Sequence, residues 1–247
     1  MCVVRVQNEK NRMNNIIQNI QKELKENVDA KTKNSFQRFF KEEVKCYGVK
    51  PGIVNKIAKK YWNEINHRGK GEIFEMCEEL YSSDYTEDAF IVSFWSEHFK
   101  FFVNVEDLAV FENWIQKYIN NWSKCDGLCN HAVGDLIMKY PNEVDELKRW
   151  AKSDNRWLRR ASSVSLIVPA KKGDFLKEAF KICNILLTDE DDMVQKGYGW
   201  LLKEESRNHQ EEVFGYVIEN KDKMPRTALR YAIELLPKDL RSKAMEK

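Results

Sequence analysis

Asp154-Asn155-Arg156-Trp157-Leu158-Arg159-Arg160-Ala161 is matched 36 residues later by Glu190-Asp191-Asp192-Met193-Val194-Gln195-Lys196-Gly197. In each copy an acidic residue (Asp154, Glu190) stands three before a large apolar one (Trp157, Met193), where a carboxylate can cap a helix start. In each, a basic residue (Arg160, Lys196) is followed by a small one (Ala161, Gly197). Trp122 stands 35 residues before Trp157, roughly one period earlier. A degenerate period in the mid-thirties to forties fits HEAT-like helix pairs stacked as a solenoid.

Working outward, the periodicity stays helical. Met13, Ile16, Ile17, Ile20 and Leu24 form one apolar stripe over 9–27, as a helix packed on one face requires. Phe36, Phe39, Phe40 and Val44 predict a helix over 34–47. Pro51 suits the first turn of the next helix, which runs through Ile53, Ile57, Tyr61 and Ile65. Further helices are expected over 72–82, 86–99, 105–120, 124–139, 143–151, 155–168, 173–187, 191–205, 209–220 and 225–236. No alternating stretch reads as a strand. The 247 residues include 10 Gly and 5 Pro, too few for a turn-rich β-sandwich or a disordered linker. The expectation is one all-α domain, residues 1–247, built as a superhelix of HEAT-like repeats.

Charge is uneven. Lys+Arg 41 against Asp+Glu 39 leave a net of +2 for the chain. Between Lys148 and Lys172, however, eight basic residues (Lys148, Arg149, Lys152, Arg156, Arg159, Arg160, Lys171, Lys172) face one acid, Asp154. Such a run is either a solvated helix face or the basic lining of a concave groove that holds a polyanion. The recurrence of Lys196 and Arg230 on later helices suits the groove. Asp189-Glu190-Asp191-Asp192 reads most simply as a helix N-terminus favoured by the macrodipole.

Several classes are disfavoured. No apolar run approaches a membrane span, and MCVVRVQNEKNRMNN lacks the apolar core and cleavage site of a signal peptide, so a cytoplasmic protein without membrane contact is expected. Its six cysteines are then free thiols. Cys125 and Cys129 would share a helix face that excludes His131, so no metal site is expected. No phosphate-binding Gly-rich loop or nucleophile elbow occurs, and no cofactor is expected. Gly197 and Gly199, inside one helix, are read as points where another backbone packs closely.

Trp122 and Asp126 stand one turn apart on one helix face. An indole face beside a carboxylate can hold a cationic or electron-poor sugar. From spacing alone, a half-buried core Trp with a capping Asp is the simpler reading.

Three stretches together resemble the AlkD-type DNA alkylation repair glycosylases. Trp122-Ser123-Lys124-Cys125-Asp126 with Gly134-Asp135 resembles that family's W-x-x-x-D and G-D signature. Ser153 to Ala161 resembles its S-D-N-x-W-x-x-R-A segment, and Val194 to Glu204 its Q-K-A-I-G-W-x-L-R-E segment. Gly197-Tyr198, Ser123 and Ser162-Ser163 depart from the family's usual residues. The resemblance implies a right-handed solenoid whose concave basic groove holds duplex DNA. It implies hydrolysis of the N-glycosidic bond of N3- or N7-alkylated purines, without inserting the base into a pocket. By motif match Asp126 is the catalytic carboxylate, Trp122 and Trp200 pack on the deoxyribose, and Arg160 contacts the backbone at the lesion. Arg156, Lys196, Lys152 and Ser163 complete the expected DNA contacts of a monomer associated with the nucleoid when bound. An N3- or N7-alkylated purine is cationic and leaves readily, so no general acid is needed. The competing expectations are a noncatalytic HEAT-repeat protein that binds DNA structures and a protein–protein scaffold.

Overall fold

Helices and loops make up the described residues, apart from one isolated antiparallel bridge between Val28 and Val49. The structure, a computed structural model, describes residues 2–40 and 42–246, less the side chains of 2–12, 14 and 37. The chain forms two compact units, Met1–Phe102 and Val103–Lys247.

The first unit contains α1 (Cys2–Glu26), α2 (Ala30–Phe39), α3 (Pro51–Ile65), α4 (Lys70–Ser82) and α5 (Thr86–Ser96). The α1 stripe holds, with Met13, Ile17, Ile20 and Leu24 buried. The helix expected over 34–47 does not hold past Phe39. Glu87, fully buried on α5, takes over the backbone beyond it. One Glu87 oxygen accepts the N–H groups of Gly48 at 2.7 Å and Val49 at 3.0 Å, and the other accepts that of Tyr47 at 3.0 Å. Three hydrogen bonds to a buried carboxylate replace a helical turn there, a long-range effect that local periodicity does not register. Gly48 sits at φ +94°, and a Cβ on it would come within 2.5 Å of the Lys33 Cβ.

The second unit contains α6 (Asp107–Tyr118), α7 (Trp122–Leu128), α8 (Gly134–Lys139), α9 (Val144–Trp150), α10 (Arg156–Val164), α11 (Ile167–Ala170), α12 (Leu176–Leu186), α13 (Asp192–Glu205), α14 (Gln210–Asn220), α15 (Arg226–Ala232) and α16 (Lys238–Met245). The segment expected as one helix over 124–139 is divided by a single π-turn, Cys129–Val133. Helix α16 lies beyond the last helix that the periodicity indicates.

The repeat is visible in the caps. Asn121 accepts the Lys124 N–H, Asn155 the N–H groups of Trp157 and Leu158, and Asp191 those of Met193 and Val194. The cap is therefore one residue later than expected, at Asn155 and Asp191 rather than Asp154 and Glu190. The helices that follow start at Trp122, Arg156, Asp192 and Arg226, which stand 34, 36 and 34 residues apart. Helix α10 packs on α13, and α13 on α15.

Glycine permits those contacts. A Cβ on Gly197 would lie 2.9 Å from the Ser163 Oγ of α10, and one on Gly199 only 2.7 Å from the Ala228 carbonyl oxygen of α15. The close approach of another backbone holds at Gly199, whereas at Gly197 the neighbours are side chains of α10. Cys46, Cys77, Cys125, Cys129 and Cys183 are free and buried, and no group of three metal-binding side chains occurs among the described residues.

Candidate functional site

Asn121 starts α7 by capping it, which puts Trp122 at the first helical position and Asp126 one turn later. Trp122 is half-buried. Asp126 is nearly buried, its side chain only 12% exposed. Its partner comes from the next repeat. Arg160 of α10 donates from Nε to Asp126 Oδ1 at 2.9 Å and from a terminal nitrogen to Oδ2 at 2.8 Å. The other terminal nitrogen of Arg160 donates to the Met193 carbonyl at the start of α13. One guanidinium thus ties α7, α10 and α13 together in fork geometry.

Burial raises the Asp126 carboxyl above its ordinary value of 3.8, and the charge and hydrogen bonds of Arg160 pull against that rise. A buried ion pair is weak as a source of stability, because desolvation offsets much of the attraction, while removing one partner strands a charge. The arrangement keeps a carboxylate oriented and nearly dry, with a small part of its surface open.

Trp200 lies two turns along α13 from Met193, half-buried. Its indole N–H donates to Glu204 at 3.0 Å, and Arg207 holds the other Glu204 oxygen at 2.5 Å. Burial opposes ionisation of Glu204, but the hydrogen bonds from Arg207 and Trp200 prevail and hold it below its ordinary value. The Trp200 ring is therefore fixed by a buried carboxylate, a support that the sequence reading missed.

The expected DNA contacts are largely engaged within the protein. Arg156 pairs with Asp191 at 2.8 Å, and its guanidinium stands 4.8 Å over the Trp157 ring. Lys196 pairs with Asp192 at 2.7 Å. Arg159 donates to Asp189 at 2.6 Å. Lys148 and Arg149 pair with Asp145 and Glu146, and Arg149 also with Glu112. The acidic cluster 189–192 is thus more than a helix start, since it also receives the arginines of the preceding repeat. Lys152 is exposed and makes no ion pair among the described residues. Ser163 is fully buried, its hydroxyl donating to the Arg160 carbonyl at 2.9 Å, so it stands behind the arginine and away from the surface.

The sequence reading gave Asp126 and Arg160 separate roles, and the structure joins them. The signal was available. Asn121 and Asn155 are 34 residues apart, and that register places Asp126 opposite Arg160, whereas the 35-residue offset between Trp122 and Trp157 hides it.

Stacked helix pairs with a carboxylate held between successive repeats define an α-helical repeat protein with a polar site where the repeats meet. The chain belongs to the DNA alkylation repair enzyme family, whose model matches residues 20–236. Membership gives it a role in the repair of alkylated DNA and makes DNA its partner. Among solved structures it is similar to a predicted DNA alkylation repair enzyme from Enterococcus faecalis, at 16% identity and a TM-score of 0.77, over 85% of this chain and 97% of that one. It is also similar to smu.31 of Streptococcus mutans, at 19% identity and a TM-score of 0.55, over 78% and 98%. At these identities the likeness establishes the helical-repeat fold. No protein of curated function matches. No helix among the described residues is long and apolar enough to cross a membrane.

Proposed function

We propose that the protein is a DNA glycosylase that hydrolyses the N-glycosidic bond of N3- and N7-alkylated purines in duplex DNA. It acts as a single-domain monomer in the cytoplasm, without a cofactor and without base flipping. The observation that carries this reading is the Asp126 carboxylate, held by Arg160 one turn from Trp122 in a chain of a DNA alkylation repair family.

The chemistry asks little of the protein. Alkylation at N3 or N7 makes the purine a cationic leaving group, so departure needs no general acid. What remains is to stabilise an oxocarbenium-like sugar and to place water. A carboxylate offers about four acceptor sites, and Arg160 occupies one on each oxygen. The remaining sites face the developing positive charge and the attacking water. Arg160 is in this reading a positioning residue. Trp122 and Trp200 supply indole faces to the deoxyribose, Trp200 oriented by Glu204. Lys152 meets phosphate directly. Arg156 and Lys196 do so by exchanging Asp191 and Asp192 for phosphates, and Ser163 supports the Arg160 turn from behind.

The test is single-turnover release of 7-methylguanine from a duplex, with affinity measured on the same DNA. Asp126→Asn lowers the rate by about 10²–10³, roughly 3–4 kcal/mol, and leaves affinity nearly unchanged. Trp122→Ala and Trp200→Ala lower it less. Because burial raises the Asp126 carboxyl, excision weakens on the acid side at a higher pH than an unperturbed Asp would set. The second reading, a noncatalytic DNA-binding member, is favoured by one observation: both Asp126 oxygens already have a partner. A wild-type protein that releases no alkylated base while binding duplex establishes that second reading.

A further inference from the structure

Most cations of the 148–172 run are engaged by carboxylates, so the cations that remain unpaired mark where further anion binding is available. Helix register leads to one group. Asp126, Arg160, Lys196 and Arg230 each occupy the fifth position of their helix, on α7, α10, α13 and α15. Arg160 is consumed by Asp126 and Lys196 by Asp192, whereas Arg230 is exposed and makes no ion pair among the described residues. It opens on a cleft of about 400 Å³ between α15 and α16, lined also by Lys238, Arg241 and Ser242. Lys238 and Arg241 are likewise exposed and make no ion pair among the described residues. The carboxylate that lines the cleft, Glu234, is engaged by Lys203 of α13 at 2.9 Å. Three cations thus converge where the local carboxylate is already neutralised. Helix α16 follows residue 236, where the family match ends, so the cleft joins a helix inside that match to one beyond it.

We propose that Arg230, Lys238, Arg241 and Ser242 form a phosphate-binding subsite that takes a backbone phosphate of DNA beyond the Asp126 site. Two guanidiniums present fork donors to phosphoryl oxygens, and Lys238 adds a point charge. The Ser242 hydroxyl, which donates to the Lys238 carbonyl at 3.0 Å, turns to donate to the phosphate. DNA is favoured over a free phosphate compound because Arg230 continues the helix positions that carry Asp126, Arg160 and Lys196. The inference rests on DNA as the partner, and it stands independently of the glycosylase chemistry.

The test uses the full chain and an undamaged duplex, so its outcome does not depend on base release. Arg230→Gln with Arg241→Gln removes two exposed cations without disturbing the core. The double variant is expected to bind duplex about tenfold more weakly near physiological salt, and to lower the slope of log affinity against log salt by about 2. Lys177→Gln, an exposed cation on α12, should leave both unchanged. Duplex affinity and salt slope equal to wild type overturn the proposal. Loss of inorganic phosphate binding in calorimetry with duplex binding intact also overturns it, assigning the cleft to a free phosphate compound.

Discussion

Glu205 closes α13 fully buried, and neither carboxyl oxygen has a hydrogen-bond partner among the described residues. Burial pushes this carboxyl up to about 8, and the nearby charge of Asp174 adds to the rise. The folded protein therefore holds a proton at neutral pH that the unfolded chain releases near its ordinary value. The sign follows by linkage: Glu205 leaves stability intact below the ordinary value and erodes it as pH rises towards about 8. Glu205→Gln carries no such titration. Across roughly pH 5 to 8 the wild-type melting temperature should fall relative to that of Glu205→Gln, and parallel curves would show that the carboxyl is hydrated and ionised instead. Asp126 shows a different solution to the same problem. It is also buried, but the Arg160 guanidinium answers both oxygens and opposes the rise that burial causes, whereas no group among the described residues opposes it at Glu205.

At the scale of the element, the contact of α13 with α15 sets what the helices tolerate. Alanine normally improves a helix interior over glycine by about 1 kcal/mol. At Gly199 the added Cβ would meet the Ala228 carbonyl oxygen at 2.7 Å and the Tyr231 Cβ at 2.8 Å, and forced overpacking costs about 1–3 kcal/mol. Gly199→Ala is expected to destabilise the protein. Gly215, inside α14, has open space where a Cβ would stand, with no atom within 4 Å, so Gly215→Ala should stabilise by about 0.5–1 kcal/mol. Urea unfolding of the two variants beside wild type checks both signs, and a stabilising Gly199→Ala would mean that α15 moves away easily. The need for glycine there was legible in the sequence, as two glycines in an otherwise good helix. Which backbone Gly199 admits was not, because the partner, Ala228, belongs to the following repeat.

For the whole molecule, residues 1–102 and 103–247 form separate compact units, while the family match runs through both, from 20 to 236. We propose that the two units unfold as one domain. One family model spans both units, as it would a single cooperative array of repeats. Fluorescence and circular dichroism should then report one coincident urea transition. Two separated transitions would make the units independent domains.

The sequence by itself determined the helical class and the approximate repeat spacing, and it brought Trp122, Asp126, Arg160 and Trp200 forward as candidates. These depend on periodicity and local hydrogen bonding, which act over one or two turns. Only the tertiary structure decided that Arg160 grips Asp126, that Asp189 and Asp191 take up Arg159 and Arg156, and that Glu87 captures the backbone of residues 47–49. Each of those contacts joins groups 30 or more residues apart that only helix packing brings together, and a charge count along the chain cannot tell a cation held inside a repeat from one left open, as Arg230 is, at its edge.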